Sequence, residues 1–482
     1  MKPLGTPLPN DPHAVSVSMP LWQDVVDYEE ANPRVINALQ TGYPRFFYHP
    51  FVAALCKRCE EQFATEGETC LVFPLQTIAE QCAAYLLEKA DVLCRLQELE
   101  GSDAVAVLFP SEAKKIAKEF WQHAGLILSS RQAEAILQSE KIVVDAAGAK
   151  QLIKQRIADI VGEGSDNVTL YPSGMGAIFS AYQAVCALQA DAKTIQLGFP
   201  YVDTLKIQEK FGSGVHFLNY HHAEDLKAVE AIVKHEKIAG LFCEIPSNPL
   251  LNVIDLPALS SLLRRYGVPL IIDDTVGTAY NIDLLPYADI IVTSLTKFFS
   301  GTGDVLGGSL LLASNAPFHA ELSAIIAQRY EDVLYSKDAL ILEQNSRNLA
   351  ERIKQINVNA EGLCDYLSKH SAIERVYYPK YTQVQLYDLL KKKEGGYGGL
   401  FSFLLKDTSK APIVYDHLAI EKGPSLGTNF TLACPYTLLA HYQELDFAKT
   451  AGVSPSLIRV SVGLEESSEL IKRFKSALEC IK

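Results

Sequence analysis

Beyond about residue 166 the chain alternates two apolar rhythms. Continuous apolar runs, "TIQLGF" from Thr194, "IAGLFCEI" from Ile238, "VPLIIDD" from Val268 and "ADIIVTS" from Ala288, are separated mostly by stretches of helical period. Unbroken apolar strands between amphipathic helices predict a parallel sheet covered on both faces. Ligands of such sheets sit at the carboxyl ends of the strands. Glu244, Asp273, Ser294 and Lys297 fall at those ends.

After about residue 330 a helical segment, "NLAERIKQINVNAEGLCDYLSKH" from Asn348, precedes strand-like "GGLFSFLL", "NFTLACPY" and "LIRVSVGL". This predicts a smaller α/β domain over residues 331–482, capping a first domain at 166–330. Residues 1–55 open with four prolines in twelve positions and read as an extended arm. Residues 56–165 are mainly helical with short apolar strands. Within them, "CLVFPLQTIAEQCAAYL" from Cys70 and "AVLFPSEAKKIAKEFWQ" from Ala106 share one plan. Each is a short strand, then Phe-Pro, then an amphipathic helix whose first turn the proline fits. The region reads as an inserted αβ unit, a duplication being one origin for it.

At 482 residues the chain is too long for one compact core, and two or three domains are expected. Its 48% hydrophobic and 21% charged residues are ordinary for a globular protein. The net charge of −13 and pI near 5.4 argue against a nucleic-acid surface, while leaving room for a locally positive pocket. No apolar run approaches the roughly 18 residues of a membrane span, and the N-terminus has no signal-peptide core. The ten cysteines form no even framework and read as reduced thiols, placing the protein in the cytoplasm. Cys56 and Cys59 form a CxxC on a helical pattern, which reads as packed thiols rather than a redox or metal pair. His221 and His222 are adjacent, not spaced for one helix face, so no metal site is expected.

The candidate chemistry centres on Lys297, which follows a buried run and precedes a glycine-punctuated loop. A desolvated lysine loses its proton more readily and can then form a Schiff base with an aldehyde. A surface lysine is the plain alternative. Ser294 and Thr296 offer hydroxyls to an anion. In "NVTLYPSGMGAIFSAYQAV" a strand, a glycine turn and a helix start put Gly174, Met175 and Gly176 where backbone N–H groups bind phosphate. Asp273 and Asp274 end a buried strand and point to opposite faces. A buried aspartate needs a cationic partner, and a protonated ring nitrogen would be one; an N-cap is the ordinary use. Together these are the parts for pyridoxal 5′-phosphate.

The segments "YPSGMGAI", "CEIPSNPLLNVIDLPAL", "PLIIDDT", "TSLTKFFSGTGDVLGG", "GPSLG" and "LIRVSVGLEESSELI" resemble, in order and spacing, the Cys/Met-metabolism family of pyridoxal-phosphate enzymes. A divergent fungal-type cystathionine γ-synthase branch is the most similar. The resemblance implies the type I transferase fold, a mostly parallel sheet between helices with a smaller C-terminal α/β domain. It implies that Lys297 and Asp273 are catalytic, and that Gly174, Met175, Ser294 and Thr296 hold the cofactor phosphate. Asn248 then lies near the phenolic oxygen, and Arg459 with Ser425 takes the substrate carboxylate. A guanidinium offers a flat two-pronged grip suited to that task. In "TGYPRFF", Tyr43 and Arg45 would reach the phosphate of a neighbouring subunit, implying a homodimer within a tetramer, a dimer of dimers; Tyr43 as a packing residue is the alternative.

Three departures from the family's pattern stand out. The insertion of about 60–150 is extra. The tyrosine that stacks on the cofactor ring becomes Phe199, with Tyr201 as a substitute. The histidine after the lysine becomes Thr302. The implied reaction is γ-replacement on O-acylhomoserine by cysteine, giving cystathionine, in transsulfuration and methionine biosynthesis. Sulfhydrylation, β- or γ-elimination of cystathionine, another nucleophile, and a non-catalytic paralogue are the alternatives. The expected partners are small amino-acid substrates, with no nucleic acid and no membrane.

Overall fold

The structure, a computed structural model, describes residues 2–140, 145–219 and 224–481. The histidine pair at 221–222 lies outside them.

Strands number along the chain. A short antiparallel ribbon, β1 (Pro7–Leu8) and β2 (Ser16–Val17), lies in the N-terminal arm. A three-stranded antiparallel sheet follows: β3 (Glu68–Phe73), β4 (Arg95–Glu98) and β5 (Val105–Pro110), with β5 central. Both of its faces are buried, and residue parity sorts them. Leu71, Phe73, Val105, Val107 and Phe109 face the helices Gln76–Ala90 and Lys114–Ala124. Cys70, Val72, Ala106 and Leu108 face the helix Pro50–Phe63, which presents Val52, Leu55 and Cys59. Burial on both sides is why these strands read as continuous apolar runs. Pro74 and Pro110 precede their helices, which begin at Gln76 and Lys114, rather than sitting in the first turn. In both places the chain is still extended, as the residue-before-proline restriction favours.

The large sheet holds seven strands: β6 (Val168–Tyr171), β7 (Lys193–Leu197), β8 (Val215–Leu218), β9 (Ile238–Glu244), β10 (Leu270–Asp273), β11 (Ile290–Ser294) and β12 (Gly308–Leu312). Their order is β6-β12-β11-β10-β9-β7-β8, and β12 alone runs against its neighbours. Four of the parallel strands, β7, β9, β10 and β11, match the four apolar runs of the sequence, while β8, half-buried along its length, has no such run.

The C-terminal sheet has order β13-β14-β17-β16-β15, built from β13 (Ile373–Tyr377), β14 (Leu400–Leu405), β15 (Glu421–Lys422), β16 (Leu432–Pro435) and β17 (Ile458–Ser461). The helices Leu349–Leu367 and Ser467–Glu479 join it in one core through Leu363, Phe401, Val460 and Phe474.

The helix Gly174–Leu188 explains where the inserted unit belongs. Ten of its residues are buried, on every side. One face lies on the large sheet. The other is covered by the inserted unit, where Phe120 meets Phe179 edge-on at 6.4 Å. A helix apolar all round must be covered all round. Each large side chain sealed there contributes about 1.5–3 kcal/mol. The inserted unit is therefore an outer wall of the main domain, and it sits beside the carboxyl ends of the strands. Among the described residues no helix is long and apolar enough to cross a membrane.

A buried ion pair fastens this wall at a second point. Arg131 donates to Asp338 Oδ1 at 3.0 Å and to the Asp304 carbonyl at 2.9 Å. Removing one partner strands a buried charge. Arg131→Met should therefore cost about 3 kcal/mol in chemical denaturation, and Arg131→Met with Asp338→Leu should cost clearly less than Arg131→Met alone.

Candidate active site

The carboxyl ends of β9, β10 and β11, the start of the helix Gly174–Leu188 and the loop 423–427 enclose a cavity of about 360 Å³. Lys297 follows β11 by one short turn and enters from the floor. Its Nζ donates to the Ser425 hydroxyl at 2.9 Å and stands 4.2 Å from the centre of the Tyr43 ring. Burial holds this ammonium below its ordinary pKa; Tyr43 pulls it back up, while Arg459 and Arg45 press it down. The Tyr43 phenol is pushed up by burial, but Lys297 and Arg45 overcome that and leave it below its ordinary value.

Asp273 and Glu244 are register partners on adjacent parallel strands, and both line the cavity. Burial raises both, and Asp273 adds to the rise of Glu244, which reaches about 8. Glu244 accepts the backbone N–H groups of Tyr201 and of Asn248, the latter at 3.1 Å. Asp273 accepts the Thr275 N–H at 2.9 Å and has no ion-pair partner among the described residues. Asp274 faces away, accepting the Thr293 hydroxyl at 2.5 Å.

Arg459 comes from the middle of β17, flanked by Ser402 of β14 and Cys434 of β16. Its Nη1 donates to Asn248 Oδ1 at 3.1 Å and its Nη2 to the Ser425 carbonyl at 2.7 Å. The Tyr436 ring lies 4.8 Å beneath it. Ser425 sits at φ +96°, a left-handed value that costs a non-glycine residue about 1–3 kcal/mol. Gly427 is pressed so close that a Cβ there would stand 2.5 Å from the Phe298 nitrogen. Similarly, a Cβ on Gly174 would meet Ser294 Cβ at 2.7 Å, so only glycine lets this helix start reach the strand end.

The cavity thus gathers Lys297, Asp273, Gly174, Met175, Ser294, Asn248, Ser425, Arg459, Tyr43 and Arg45, as the sequence anticipates. Two expectations change. Phe199 does not reach it. Gly198, at φ +80°, turns the chain as β7 ends, and Phe199 packs on His441 at 4.7 Å and Phe447 at 5.6 Å; Tyr201 faces the cavity instead. Thr296 is spent within the loop, its hydroxyl accepting the Gly307 N–H at 3.1 Å. Tyr43 and Arg45 line the cavity of their own chain. The arm that carries them is pinned to that chain by Val15 N–H on the Gly303 carbonyl and Met19 N–H on the Lys422 carbonyl, both 2.9 Å. Arg45 is then locked by Asp203 at 2.6 Å, by the Gln122 carbonyl at 2.9 Å and by the Tyr201 hydroxyl.

Sequence reading missed the lock. Asp203 is fully buried and also takes Gln122 Nε2 and His123 Nδ1 at 3.0 Å each. Its one sequence signal is a charged residue in the first turn of the helix Val202–Lys210. Gln122 and His123 carried no signal, because they belong to the inserted unit.

The donor set fits pyridoxal 5′-phosphate. A buried carboxylate without a cation suits a protonated ring nitrogen, a desolvated amine suits an aldehyde, and a glycine-started helix suits a phosphate.

The electrostatics give a direct test in cofactor-free protein. An amine reacts with acylating reagents only when neutral, so Lys297 should label at lower pH than ordinary lysines. Tyr43→Phe removes a raising influence and should move its labelling midpoint further down; Arg459→Met removes a lowering one and should move it up. Competitive labelling across pH, read by mass spectrometry of the Lys297 peptide, measures both.

Residues 147–479 match the family described as Cys/Met metabolism PLP-dependent enzyme, and residues 51–129 match the fungal trans-sulfuration enzyme N-terminal domain. The chain is similar to a cystathionine gamma-synthase-like enzyme, iboG2, of Amanita muscaria, at 35% identity over 100% of this chain and 97% of the relative. It is also similar to the cystathionine gamma-synthase of Neurospora crassa, at 34% identity over 99% and 98%. The fold is shared with the crystal structure of cystathionine gamma synthase from Xanthomonas oryzae, with a TM-score of 0.61, 23% identity, and 69% and 85% of the two chains covered. The chain belongs to the Cys/Met-metabolism family of PLP-dependent enzymes, and its cofactor is pyridoxal 5′-phosphate.

Proposed function

We propose that this enzyme performs γ-replacement on an O-acylated homoserine, with cysteine as the incoming thiol and cystathionine as product. One observation carries the reading. Lys297 and Arg459 converge on a single residue, the amine on the Ser425 hydroxyl and the guanidinium on the Ser425 carbonyl. A group that exchanges with an amine and a group that grips a carboxylate are thereby held one residue apart, as an α-amino acid requires. The family and the cystathionine gamma-synthase relatives support the reaction class.

In this reading Asp273 would hold the protonated ring nitrogen of the cofactor. Gly174, Met175 and Ser294 would hold its phosphate, Asn248 would meet its phenolic oxygen, and Tyr201 and Tyr43, which also line the cavity, would hold its ring. Bound there, the cofactor supplies an aldehyde that captures amines and a ring that accepts electrons. Arg459 takes the substrate carboxylate in a charge-assisted grip. Lys297, with its amine free and neutral, would take the Cα proton, hand it on within the cavity, and only then take one from Cβ. The acyl group leaves Cγ as a carboxylate, and the cysteine sulfur adds at Cγ. One proton would return to Cβ and one to Cα, each through Lys297 in turn, and the thiol proton of the cysteine would leave with the departing carboxylate. Tyr201 and Tyr43 place hydroxyls in the cavity beside this traffic, a role that Phe199 could not fill. A homo-oligomer, a dimer of dimers, is proposed with this reading; sedimentation of the holoenzyme tests it.

O-acetyl- and O-succinylhomoserine assayed with cysteine, with sulfide and with no added nucleophile should give cystathionine as the main product. Homocysteine from sulfide at higher kcat/KM, or keto-acid release alone, would replace the proposal. Lys297→Ala should abolish turnover. Arg459→Ala should lower kcat/KM about a hundredfold, about 2.7 kcal/mol, mostly through KM.

A further inference from the structure

At the carboxyl end of β9 a side chain continues what the backbone ladder leaves off. Pairing between β7 and β9 stops at Leu197 and Cys243. Beyond it the two chains part, β7 into the turn that brings Tyr201 and β9 into the loop that brings Asn248, and both residues line the cavity. Glu244, the last residue of β9, spans the gap with its carboxyl. Its Oε1 accepts the Tyr201 N–H and its Oε2 the Asn248 N–H, the latter at 3.1 Å. Buried backbone N–H groups must find acceptors, and here two separate turns find them on one buried side chain. Asp273, the register partner of Glu244 on β10, flanks it on the other side.

What hangs on Asn248 gives this bridge a consequence at the substrate. The Asn248 side chain accepts Arg459 Nη1 at 3.1 Å, and its NH2 faces the Tyr436 hydroxyl at 3.5 Å. The Tyr436 ring in turn lies 4.8 Å from the guanidinium, whose Nη2 rests on the Ser425 carbonyl. Every one of these holders of Arg459 is uncharged. Uncharged holders fix the direction of a guanidinium and leave its charge for a ligand. A two-pronged grip on a carboxylate works only when its plane is set to within about 20°. Asn248 sets that plane from one edge, and the Asn248 backbone is held in turn by Glu244.

We propose that Glu244 is a positioning residue for the substrate carboxylate. Through the Asn248 amide it sets the plane of the Arg459 guanidinium, and through the Tyr201 amide it keys that plane to the turn after β7. The inference rests on the function proposed above, in which Arg459 takes the carboxylate of an α-amino acid.

Holoenzyme is titrated with L-2-aminobutyrate and with propylamine, the same amine without its carboxylate, each followed by the change in cofactor absorbance. The ratio of the two affinities isolates the carboxylate grip. Glu244→Leu fills the space and offers no acceptor. Glu244→Gln keeps one carbonyl and sets an NH2 against the other amide. Arg459→Met, alone and combined with each, closes a double-mutant cycle. Thermal melting establishes which variants fold, and Glu244→Gln decides should Glu244→Leu fail. The affinity ratio should fall about tenfold in Glu244→Leu and about threefold in Glu244→Gln, with no further fall where Arg459→Met is already present. KM for O-acetylhomoserine should rise by similar factors while kcat stays within about twofold of wild type. A ratio that keeps its wild-type value in the folded variants, or falls as far with Arg459→Met present as without it, would overturn the inference and leave the proposed function intact. A wild type that binds propylamine as tightly as L-2-aminobutyrate would remove the carboxylate grip, and with it the proposed function and this inference together.

Discussion

Arg45 and Asp203, 2.6 Å apart and almost wholly out of solvent, are the contact on which the site's construction depends. Three separate parts of the chain meet there. The arm brings Arg45, the helix after β7 brings Asp203, and the inserted unit brings Gln122 and His123. Burying two charges is expensive, and such a pair is weak support for stability by itself. Here both carboxylate oxygens are used: Asp203 accepts from Arg45, Gln122 and His123, and Arg45 also reaches the Gln122 carbonyl and the Tyr201 hydroxyl. A fully satisfied buried network tolerates one geometry and few others. That geometry fixes Tyr43, two residues from Arg45, across the amine of Lys297. The arm's path along its own C-terminal sheet, through Lys422, explains why the lock closes within one chain.

What the lock secures is a dry, charged pocket. Lys297 is held by one hydroxyl and one aromatic face, neither of which repays the loss of water, so its ammonium is destabilised. Asp273 is in the same position, and Glu244 is its register partner. Parallel pairing of β9 and β10 places them side by side, and strand ends give them backbone N–H groups in place of cations. A cavity that keeps an amine and the Asp273 carboxylate short of partners stores binding energy for a ligand carrying the complementary charges.

The large sheet was legible because both faces are covered, and covered strands write continuous apolar runs. Lys297, Asp273 and Arg459 were legible for a related reason: each is a charged residue attached to such a run, and its cost there demands a use. Phe199 and Thr296 were misread because a motif gives positions, while direction is set by one torsion in the first case and one loop bond in the second. Gly198 turns the backbone and sends Phe199 behind the sheet. Gly307 claims the Thr296 hydroxyl. The inserted unit's share of the cavity was illegible for a deeper reason. Gln122, His123 and Lys118 lie on an amphipathic helix whose polar face reads as solvent-exposed, and nothing local says that another domain's cavity covers it.

The C-terminal sheet completes the site by register rather than by a loop. Arg459 points into the cavity because Ser402 and Cys434 hold β17 between two antiparallel neighbours. A one-residue slip would turn it to the opposite face. Ser425 then has to meet both Arg459 and Lys297, and it does so only at a positive φ with Gly427 pressed against the Phe298 backbone. Strain of this kind persists where several contacts over-determine the backbone. Two hydrogen bonds to catalytic-site cations and one glycine contact are those constraints here. The distance between the amine and the carboxylate grip is thereby built into the backbone, and side-chain choice at the cavity mouth is left free to vary with the substrate.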